Sequence, residues 1–460
     1  MTSRICRFLE VLGNEKIIEF LSRKQISKEV FLLSNLPYYD VRMKDIILFQ
    51  IRNRSFFSLS AIYTQMILFL FCTFLLFGNF FRFMPLPSFS SHFSVIEMLL
   101  YLISCPLYCM RFRKSQLLII GIAMSTIYGS FLQGVDLTSI LYSCKLGAMI
   151  ASGIVIGEAL FTTYAMRIES VITFFIKLFA LIAIFSFVIL IFFPKAHLFF
   201  GLLEKYGIHF TGDPHQRRLI SPFFDPNYYA AIGCFPLILS WIQKKWVFFF
   251  LFLMSVFLTF SRSGIATCVF LLIIMCISKL LAGKRARLHL KHVLLYCFLI
   301  SLFCMLMVTY REELFYFLHR FIHLFEDESA LARLDTFQAG LSFFWEHPLF
   351  GVGYHYLSLP FFEGFHRLAP DSSLILTLVD FGAIPCLLMG GFFVIWTILH
   401  FTSMTGPLRS LFSWLFIYLL VCILFTCQFN NLLYYQFWLI PLIAILTYIQ
   451  KVSNAMRIGA

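Results

Sequence analysis

Residues 171–193, VITFFIKLFALIAIFSFVILIFF, contain a single charged side chain, that of Lys177. At 1.5 Å per residue, an apolar α-helix of this length covers the hydrocarbon core of a bilayer, which is about 30 Å thick. Further apolar runs begin near Leu59, Val95, Gln116, Leu137, Asn227, Trp246, Gly264, Val293, Ser372, Leu411 and Leu433. The sequence therefore predicts an all-α polytopic membrane protein with about twelve transmembrane helices.

The composition supports this class of protein. Among 460 residues, 60% are apolar and 13% are charged, and the mean hydropathy is +0.87. In a soluble domain, roughly a quarter of the residues are charged. The 13 cysteines lie mostly inside apolar runs, where a thiol behaves as a small hydrophobe, and their spacing indicates neither a disulfide framework nor a zinc site.

The net charge of +13 has an explanation in membrane topology. With the N-terminus in the cytoplasm, the inside segments include RFRK at 111–114 and GKRARLHLKH at 283–292, and the C-terminal tail is also cytoplasmic. Roughly two thirds of the lysines and arginines then lie on the cytoplasmic side, as the positive-inside rule expects. The net positive charge therefore gives no reason to expect a nucleic-acid partner.

The spans divide the chain into four parts. These are a cytoplasmic N-terminal tail at 1–56, a first transmembrane bundle at 57–200, a core at 201–391, and the C-terminal spans with a short cytoplasmic tail at 392–460. The core contains a large outer loop at 311–371, between the ninth and tenth spans. Loops of that length are usually functional or separately folded.

Several arginines lie on the outer side, against the positive-inside bias. Arg262 lies in LTFSRSG at 258–264, a connection of a few residues between two spans, and Arg217 and Arg218 precede the span that starts near Asn227. A guanidinium group there either reaches the lipid interface or binds a phosphate or pyrophosphate through its several donors. Pro226 fixes the turn before the helix, Asn227 is a candidate cap, and Asp225 is a candidate partner for one of the arginines.

The outer loop contains a predicted helix, SALARLDTFQAGLSFFWEH at 329–347, with Ser329 as its expected N-cap and HPLFGVGY as its end. Arg333 lies on its polar side, and a structural contact with Asp335 or Glu328 competes with a substrate-binding role.

Three further loop residues are candidate polar contacts to a substrate. They are Tyr354, His355 and His366. His319 and His323 have the i, i+4 spacing of helical metal ligands, but no acidic residue in register accompanies them. We therefore predict no metal site.

Four motifs in order, RLISPFFDPNYYA at 218–230, LTFSRSG at 258–264, RLDTFQAGLSFFWEHPLFGVGY at 333–354 and DSSLILTLVDFG at 371–382, resemble the bacterial O-antigen ligase and O-antigen polymerase superfamily. The resemblance covers roughly residues 201–391. It implies a twelve-span fold like that of the type C glycosyltransferases, in the bacterial inner membrane, with the active site facing the periplasm.

The resemblance also implies partners and chemistry. The donor is an undecaprenyl pyrophosphate-linked oligosaccharide, the acceptor is a lipid-linked repeat unit or the lipid A core, and a chain-length regulator is a candidate protein partner. No metal or other cofactor is implied. Carried over by motif, Arg218 and Arg262 hold the donor pyrophosphate, and Arg333 matches the arginine that opens the HPLFGVG helix.

The chain departs from the ligase pattern at one position. Where ligases carry a histidine followed by asparagine, this sequence has Asp371. A carboxylate can act as general base towards a sugar hydroxyl, and an acidic residue there resembles the polymerases, so an inverting, metal-independent polymerase is the favoured expectation. A ligase is the first alternative, with His366 as an alternative base. A transporter or flippase of lipid-linked oligosaccharide, using Lys145 and Glu158 within the membrane, is the second.

Overall fold

The computed structural model describes residues 57–80, 82–83, 93–110, 137–193, 218–281, 328–354, 371–404 and 406–458, with a few single positions between them. Twelve α-helices occur in these ranges: α1 Phe57–Phe77, α2 Val95–Cys109, α3 Leu137–Tyr164, α4 Ile168–Phe192, α5 Pro226–Ile242, α6 Trp246–Phe257, α7 Arg262–Leu281, α8 Glu328–Glu346, α9 Ser373–Phe381, α10 Ala383–Ser403, α11 Gly406–Val421 and α12 Gln436–Ile458. A π-helix, Cys422–Thr426, extends α11, and a 3-10 helix, Leu432–Tyr434, precedes α12. The strands β1 Arg82–Phe83 and β2 Phe93–Ser94 form an antiparallel pair in which Arg82 faces Ser94.

The described part is therefore almost entirely helical, as the sequence predicts. Within it, 6 helices are long and apolar enough to cross a membrane, and α2 and α6 are shorter apolar helices. Every predicted span has a helix that starts within a few residues of it, except the spans near Gln116 and Val293, which fall largely outside the described residues. The total of twelve spans stays a prediction, and so does the N-terminal tail at 1–56.

One local prediction is wrong. The span expected from Ser372 is not one continuous helix, because Gly382, with φ of 71°, separates α9 from α10. The apolar sequence continues on both sides of this glycine, so hydropathy alone did not show the break. Helix α8 spans Glu328–Glu346, and the expected cap at Ser329 stays a prediction because its side chain lies outside the described part of the chain.

Residues Leu59–Arg457 form one compact unit, and α5 lies at its centre. From Tyr229 to Ser240 every residue of α5 is buried, and the helix packs against α4, α6, α7 and α11. Small residues at its start permit this close packing, since a Cβ on Gly264 of α7 would lie 2.1 Å from the Cβ of Ala230. Tyr418 of α11 donates a hydrogen bond to the carbonyl oxygen of Ala231, and Trp438 of α12 donates to Tyr418.

Two glycines of α3 allow close packing against α12. A Cβ on Gly153 would lie 2.7 Å from the Cβ of Ile443, and one on Gly157 would lie 2.5 Å from the carbonyl oxygen of Ala444. The four-residue spacing places both glycines on one face of α3, as in the small-residue interfaces of membrane helices.

Replacing Gly157 by alanine is expected to destabilise the protein by about 1–3 kcal/mol, because the new methyl group overpacks the α3–α12 contact. Gly390 of α10 is the matched control, since nothing lies within 4 Å of a Cβ there. Its replacement by alanine is expected to be neutral or to stabilise the helix by about 0.5–1 kcal/mol. Thermal unfolding of both variants in detergent measures the difference, and equal melting temperatures would contradict the proposed packing.

Candidate functional site

The segment before α5 and the turn before α7 are held together by Arg218. Its Nε donates to the carbonyl oxygen of Thr259 at 2.6 Å, and its Nη2 donates to Oδ1 of Asn227 at 2.9 Å. A backbone hydrogen bond from Leu219 to Leu258 of 2.9 Å runs beside these contacts. Arg218 and Arg262, which the family resemblance places in one site, therefore lie on adjoining segments.

Asp225 is the N-cap of α5. Its carboxylate accepts hydrogen bonds from the backbone nitrogens of Asn227 at 2.7 Å and Tyr228 at 3.3 Å. The prediction that Asn227 caps this helix is thus wrong, and the reason is Pro226, whose fixed φ suits the first helical position and leaves the preceding residue as the cap. Instead, Oδ1 of Asn227 accepts a hydrogen bond from the guanidinium group of Arg218.

The pKa of the Asp225 carboxyl group is raised, because burial outweighs the interactions that lower it. Burial raises the pKa of its carboxyl group, while the hydrogen bonds from the helix amides and the nearby charge of Arg218 lower it. The negative charge of Asp371 also raises the pKa of Asp225, so the two carboxylates are near enough to interact. The motifs at 371–382 and 218–230 therefore lie close together in the fold.

Asp371 forms an ion pair with Arg333. Nε of Arg333 lies 3.4 Å from Oδ2 of Asp371, and the two side chains are 26% and 59% exposed. The competing prediction was a contact of Arg333 with Asp335 or Glu328, whereas this ion pair joins α8 to the start of α9. Ser372 caps α9 by accepting from the backbone nitrogen of Ile375 at 3.4 Å, so Asp371 stands just before a helix N-terminus.

Arg262 is the first residue of α7 and is half-buried. Ser261 and Thr259 beside it are buried, and Oγ of Ser261 accepts from the backbone nitrogen of Gly264 at 3.3 Å. Asn227 is the second residue of α5, Arg262 is the first residue of α7, and Asp371 lies two positions before the first residue of α9. Helix N-termini present a partial positive charge and free N–H groups, which favour anions.

The HPLFGVG motif packs against the break between α9 and α10. The backbone nitrogens of Val352 and Gly353 donate to the carbonyl oxygens of Val379 and Asp380, at 2.9 and 3.0 Å. In return, Ala383 and Ile384 donate to Pro348 and Leu349, at 2.8 and 3.1 Å. The loop 348–353 therefore pairs backbone groups on both sides of the break, which an interrupted helix would otherwise leave without intrahelical partners.

Replacing Gly382 by alanine is expected to destabilise the protein by about 2 kcal/mol or more, because the site needs a left-handed backbone and is crowded. The φ of Gly382 is 71°, and a Cβ there would lie 2.5 Å from the backbone nitrogen of Gly351. Gly391 of α10 is the control, since its Cβ would meet nothing within 4 Å. The comparison is made by thermal unfolding in detergent, and a Gly382 variant as stable as the Gly391 variant would refute the close approach.

The remaining predicted site residues do not all lie at the same place. Tyr354 is 5% exposed and packs against Phe381 and Tyr434, at ring-centroid distances of 5.9 and 5.2 Å. From this position it supports the loop 348–353 from inside. Arg217, His355 and His366 lie outside the described residues.

Sequence reasoning missed one segment of the site, the connection 427–435 between the π-helix and α12. Tyr435 stacks on Tyr228 at 4.1 Å, and its hydroxyl donates to the carbonyl oxygen of Phe223 at 3.0 Å. Asn430 donates to Ser263, next to Arg262. The signal available in the sequence was the asparagine pair in CQFNNLLYY, which looks like an ordinary turn.

Fold and site together define an integral membrane protein in which arginines, carboxylates and helix N-termini converge where several helices begin. Residues 247–387 match the family model described as O-antigen ligase. This match bears out the resemblance and supports the O-antigen ligase-like superfamily for that part of the chain. It includes Arg262, Arg333 and Asp371 and begins downstream of Arg218. No curated protein matches the chain.

The family match supports an O-antigen ligase- or polymerase-type function in general. Together with the apolar helices, it indicates an integral inner-membrane protein with a transferase function in lipopolysaccharide biosynthesis.

Proposed function

We propose that the protein is a periplasmic-face glycosyltransferase that joins undecaprenyl pyrophosphate-linked glycan units into a cell-surface polysaccharide, acting as an O-antigen polymerase. The observation that carries this proposal is the Arg333–Asp371 ion pair, which joins two motifs 38 positions apart in the sequence. The family match over residues 247–387 covers both partners.

The donor pyrophosphate would lie near the start of α7. Pyrophosphate is a good leaving group when donors placed in advance meet its developing charge. Arg262 at the first position of α7 supplies one guanidinium group, and the helix N-terminus supplies backbone N–H groups. Arg218 already donates to Thr259 and Asn227, so its role is to shape this corner and add positive charge to it.

Asp371 would act as the general base. In the proposed reaction, the oxygen of an acceptor hydroxyl attacks the anomeric carbon of the donor sugar from the face opposite the pyrophosphate. The new glycosidic C–O bond forms as the bond to pyrophosphate breaks, the hydroxyl proton moves to the carboxylate of Asp371, and undecaprenyl pyrophosphate leaves. This displacement inverts the anomeric configuration. Asp371 is 59% exposed, so an acceptor can reach it while Arg333 orients the carboxylate.

The acceptor substrate distinguishes a polymerase from a ligase. A polymerase uses a lipid-linked repeat unit, whereas a ligase moves the finished polymer to the lipid A core. The ligase is a second candidate because the matching family model is described as O-antigen ligase. The polymerase is favoured because Asp371 occupies the position where ligases carry a histidine.

The transporter alternative depends on charges within the membrane, and these charges are paired inside the protein. Nζ of Lys145 lies 3.1 Å from Oε1 of Glu97, which also accepts from the hydroxyl of Tyr101 at 2.8 Å. Nζ of Lys451 lies 3.0 Å from Oε1 of Glu158. Ion pairs of this kind hold helices together, α2 to α3 and α3 to α12, and give no support to a transport path.

Deletion of the gene in its source bacterium tests the proposal. Surface glycolipids are separated on a gel, and lipid A core carrying a single repeat unit is the result expected for a polymerase. Bare core, with long polymer retained on undecaprenyl pyrophosphate, would instead assign a ligase. An unchanged ladder would refute both and would direct attention to another glycan or to transport.

A further inference from the structure

The turn at 427–431 contacts the starts of two helices that carry proposed catalytic residues. It follows the π-helix, and its fourth residue, Asn430, is buried at 8% exposure. Helix α7 begins with Arg262, and α9 begins just after Asp371. Hydrogen bonds from this turn reach both helices.

The side chain of Asn430 reaches α7. Its Nδ2 donates to Oγ of Ser263 at 3.0 Å and to the carbonyl oxygen of Thr426 at 3.3 Å. The carbonyl oxygen can only accept a hydrogen bond, so it fixes which end of the amide points towards it. Ser263 is the neighbour of Arg262 in the first turn of α7, so this bond holds the part of the helix from which Arg262 extends.

The backbone of the same turn holds α9. Oγ of Ser373 donates to the carbonyl oxygen of Asn430 at 2.7 Å, and the backbone nitrogen of Ser373 donates to the carbonyl oxygen of Cys427 at 2.9 Å. Ser373 also accepts from the backbone nitrogen of Leu433 at 3.2 Å. These bonds fix the first residue of α9, two positions after Asp371.

The π-helix brings the turn into this position. A π-helix accommodates one more residue per turn than an α-helix, and such segments often occur at functional sites. Thr426, its last residue, is within hydrogen-bonding distance of Thr267 of α7, with 2.8 Å between the two hydroxyl oxygens. The end of α11 is therefore attached to α7 at two places, through Thr426 and through Asn430.

We propose that Asn430 is a positioning residue that sets Arg262 and Asp371 relative to each other. This inference rests on the proposed function, since it assigns Asn430 to the same reaction. Leaving-group stabilisation and proton transfer must act on one donor–acceptor pair, and a displacement of about 1 Å can lower the rate about 100-fold. Asn430 itself touches neither substrate. Its side chain acts through Ser263 on α7, and its backbone carbonyl acts through Ser373 on α9.

The test uses the full-length protein in proteoliposomes, with undecaprenyl pyrophosphate-linked glycan purified from the gene-deletion strain as substrate. Asn430→Ala is expected to lower kcat at least 10-fold while KM for this substrate changes less than about twofold, because substrate contacts remain and only the alignment changes. Gln428→Ala is the matched control. Gln428 lies in the same turn and donates to the carbonyl oxygen of Ile423, so its kcat is expected to stay unchanged.

A double-mutant cycle identifies the route of the effect. Ser263→Ala removes the same hydrogen bond from the other side, so the double variant Ser263→Ala, Asn430→Ala is expected to lose no more activity than Asn430→Ala. Such coupling in kcat is not expected from a general loss of stability. Wild-type kcat in Asn430→Ala, or effects of the two substitutions that multiply fully, would overturn the inference.

A second measurement tests the role of Asn430 if the wild-type protein joins no glycan. In that case the proposed function fails, and hydrogen exchange tests the positioning by itself. Asn430→Ala removes the side-chain bond to Ser263 and keeps the backbone carbonyl that holds Ser373. It is therefore expected to speed amide exchange in the peptide covering 262–268 more than in the peptide covering 372–378, and Gln428→Ala is expected to change neither. Equal exchange of the 262–268 peptide in the two variants would show that the side chain of Asn430 does not hold the start of α7.

Discussion

Replacing Arg262 by alanine is expected to lower the rate of glycan joining by about 100-fold or more, because one preorganised donor to a developing anion contributes a factor of about 10²–10³. Lysine at this position keeps the charge but loses the planar set of donors, so Arg262→Lys is expected to restore only part of the rate. The rate is measured in proteoliposomes with lipid-linked donor and acceptor at saturation.

The control for Arg262 is an arginine away from the site. Arg457, at the end of α12, is exposed and donates to the carbonyl oxygen of Leu399 at 3.0 Å. Arg457→Ala is expected to keep the wild-type rate. Because Arg262 is half-buried, the melting temperature of each variant is measured in parallel. Full activity of a correctly inserted Arg262→Ala protein would remove Arg262 from the proposed pyrophosphate site.

The second large effect is expected at Asp371. Asp371→Asn preserves the shape of the side chain and removes the proton acceptor, so we expect the rate to fall by about 10²–10⁴, the usual contribution of a general base. The substitution also weakens the ion pair with Arg333, but Asp371 is 59% exposed, and exposed pairs contribute at most about 1 kcal/mol. A small change in melting temperature with a large change in rate is therefore the expected combination.

Asp335 provides the matched control for Asp371. It is an exposed carboxylate on α8, two positions after Arg333. Asp335→Asn is expected to leave the rate unchanged. A protein with Asp371→Asn that joins glycans normally would exclude Asp371 as the base, and the alternative base, His366, would then be tested by the same pair of measurements.

The sequence predicted those parts of the fold that depend on local chemistry. Apolar runs gave the helices, because burial of side chains in lipid requires about 20 apolar residues whatever the neighbours are. The turn before α5 was also readable, because Pro226 restricts its own φ and favours an acidic or hydroxyl residue before it. The error at Asn227 came from choosing between two residues that can both cap a helix.

The parts that could not be predicted depend on contacts between distant residues. Asn430 and Ser263 are 167 positions apart, and nothing in the turn around Asn430 indicates which helix it will face. The ion pair between Arg333 and Asp371 was likewise hidden, because acidic residues nearer in sequence offered equally reasonable partners. The break at Gly382 required knowledge of the loop that supplies its hydrogen bonds.

That loop has a consequence for the design of chimaeric proteins. Residues 348–353 and 379–384 exchange backbone hydrogen bonds in both directions, and Gly351 and Gly382 touch. A domain exchange with a relative whose loop differs in length or glycine placement would leave these amides and carbonyls without partners if only one stretch were transferred. The two stretches must therefore be exchanged together, and the junctions of a chimaera should lie outside residues 348–384.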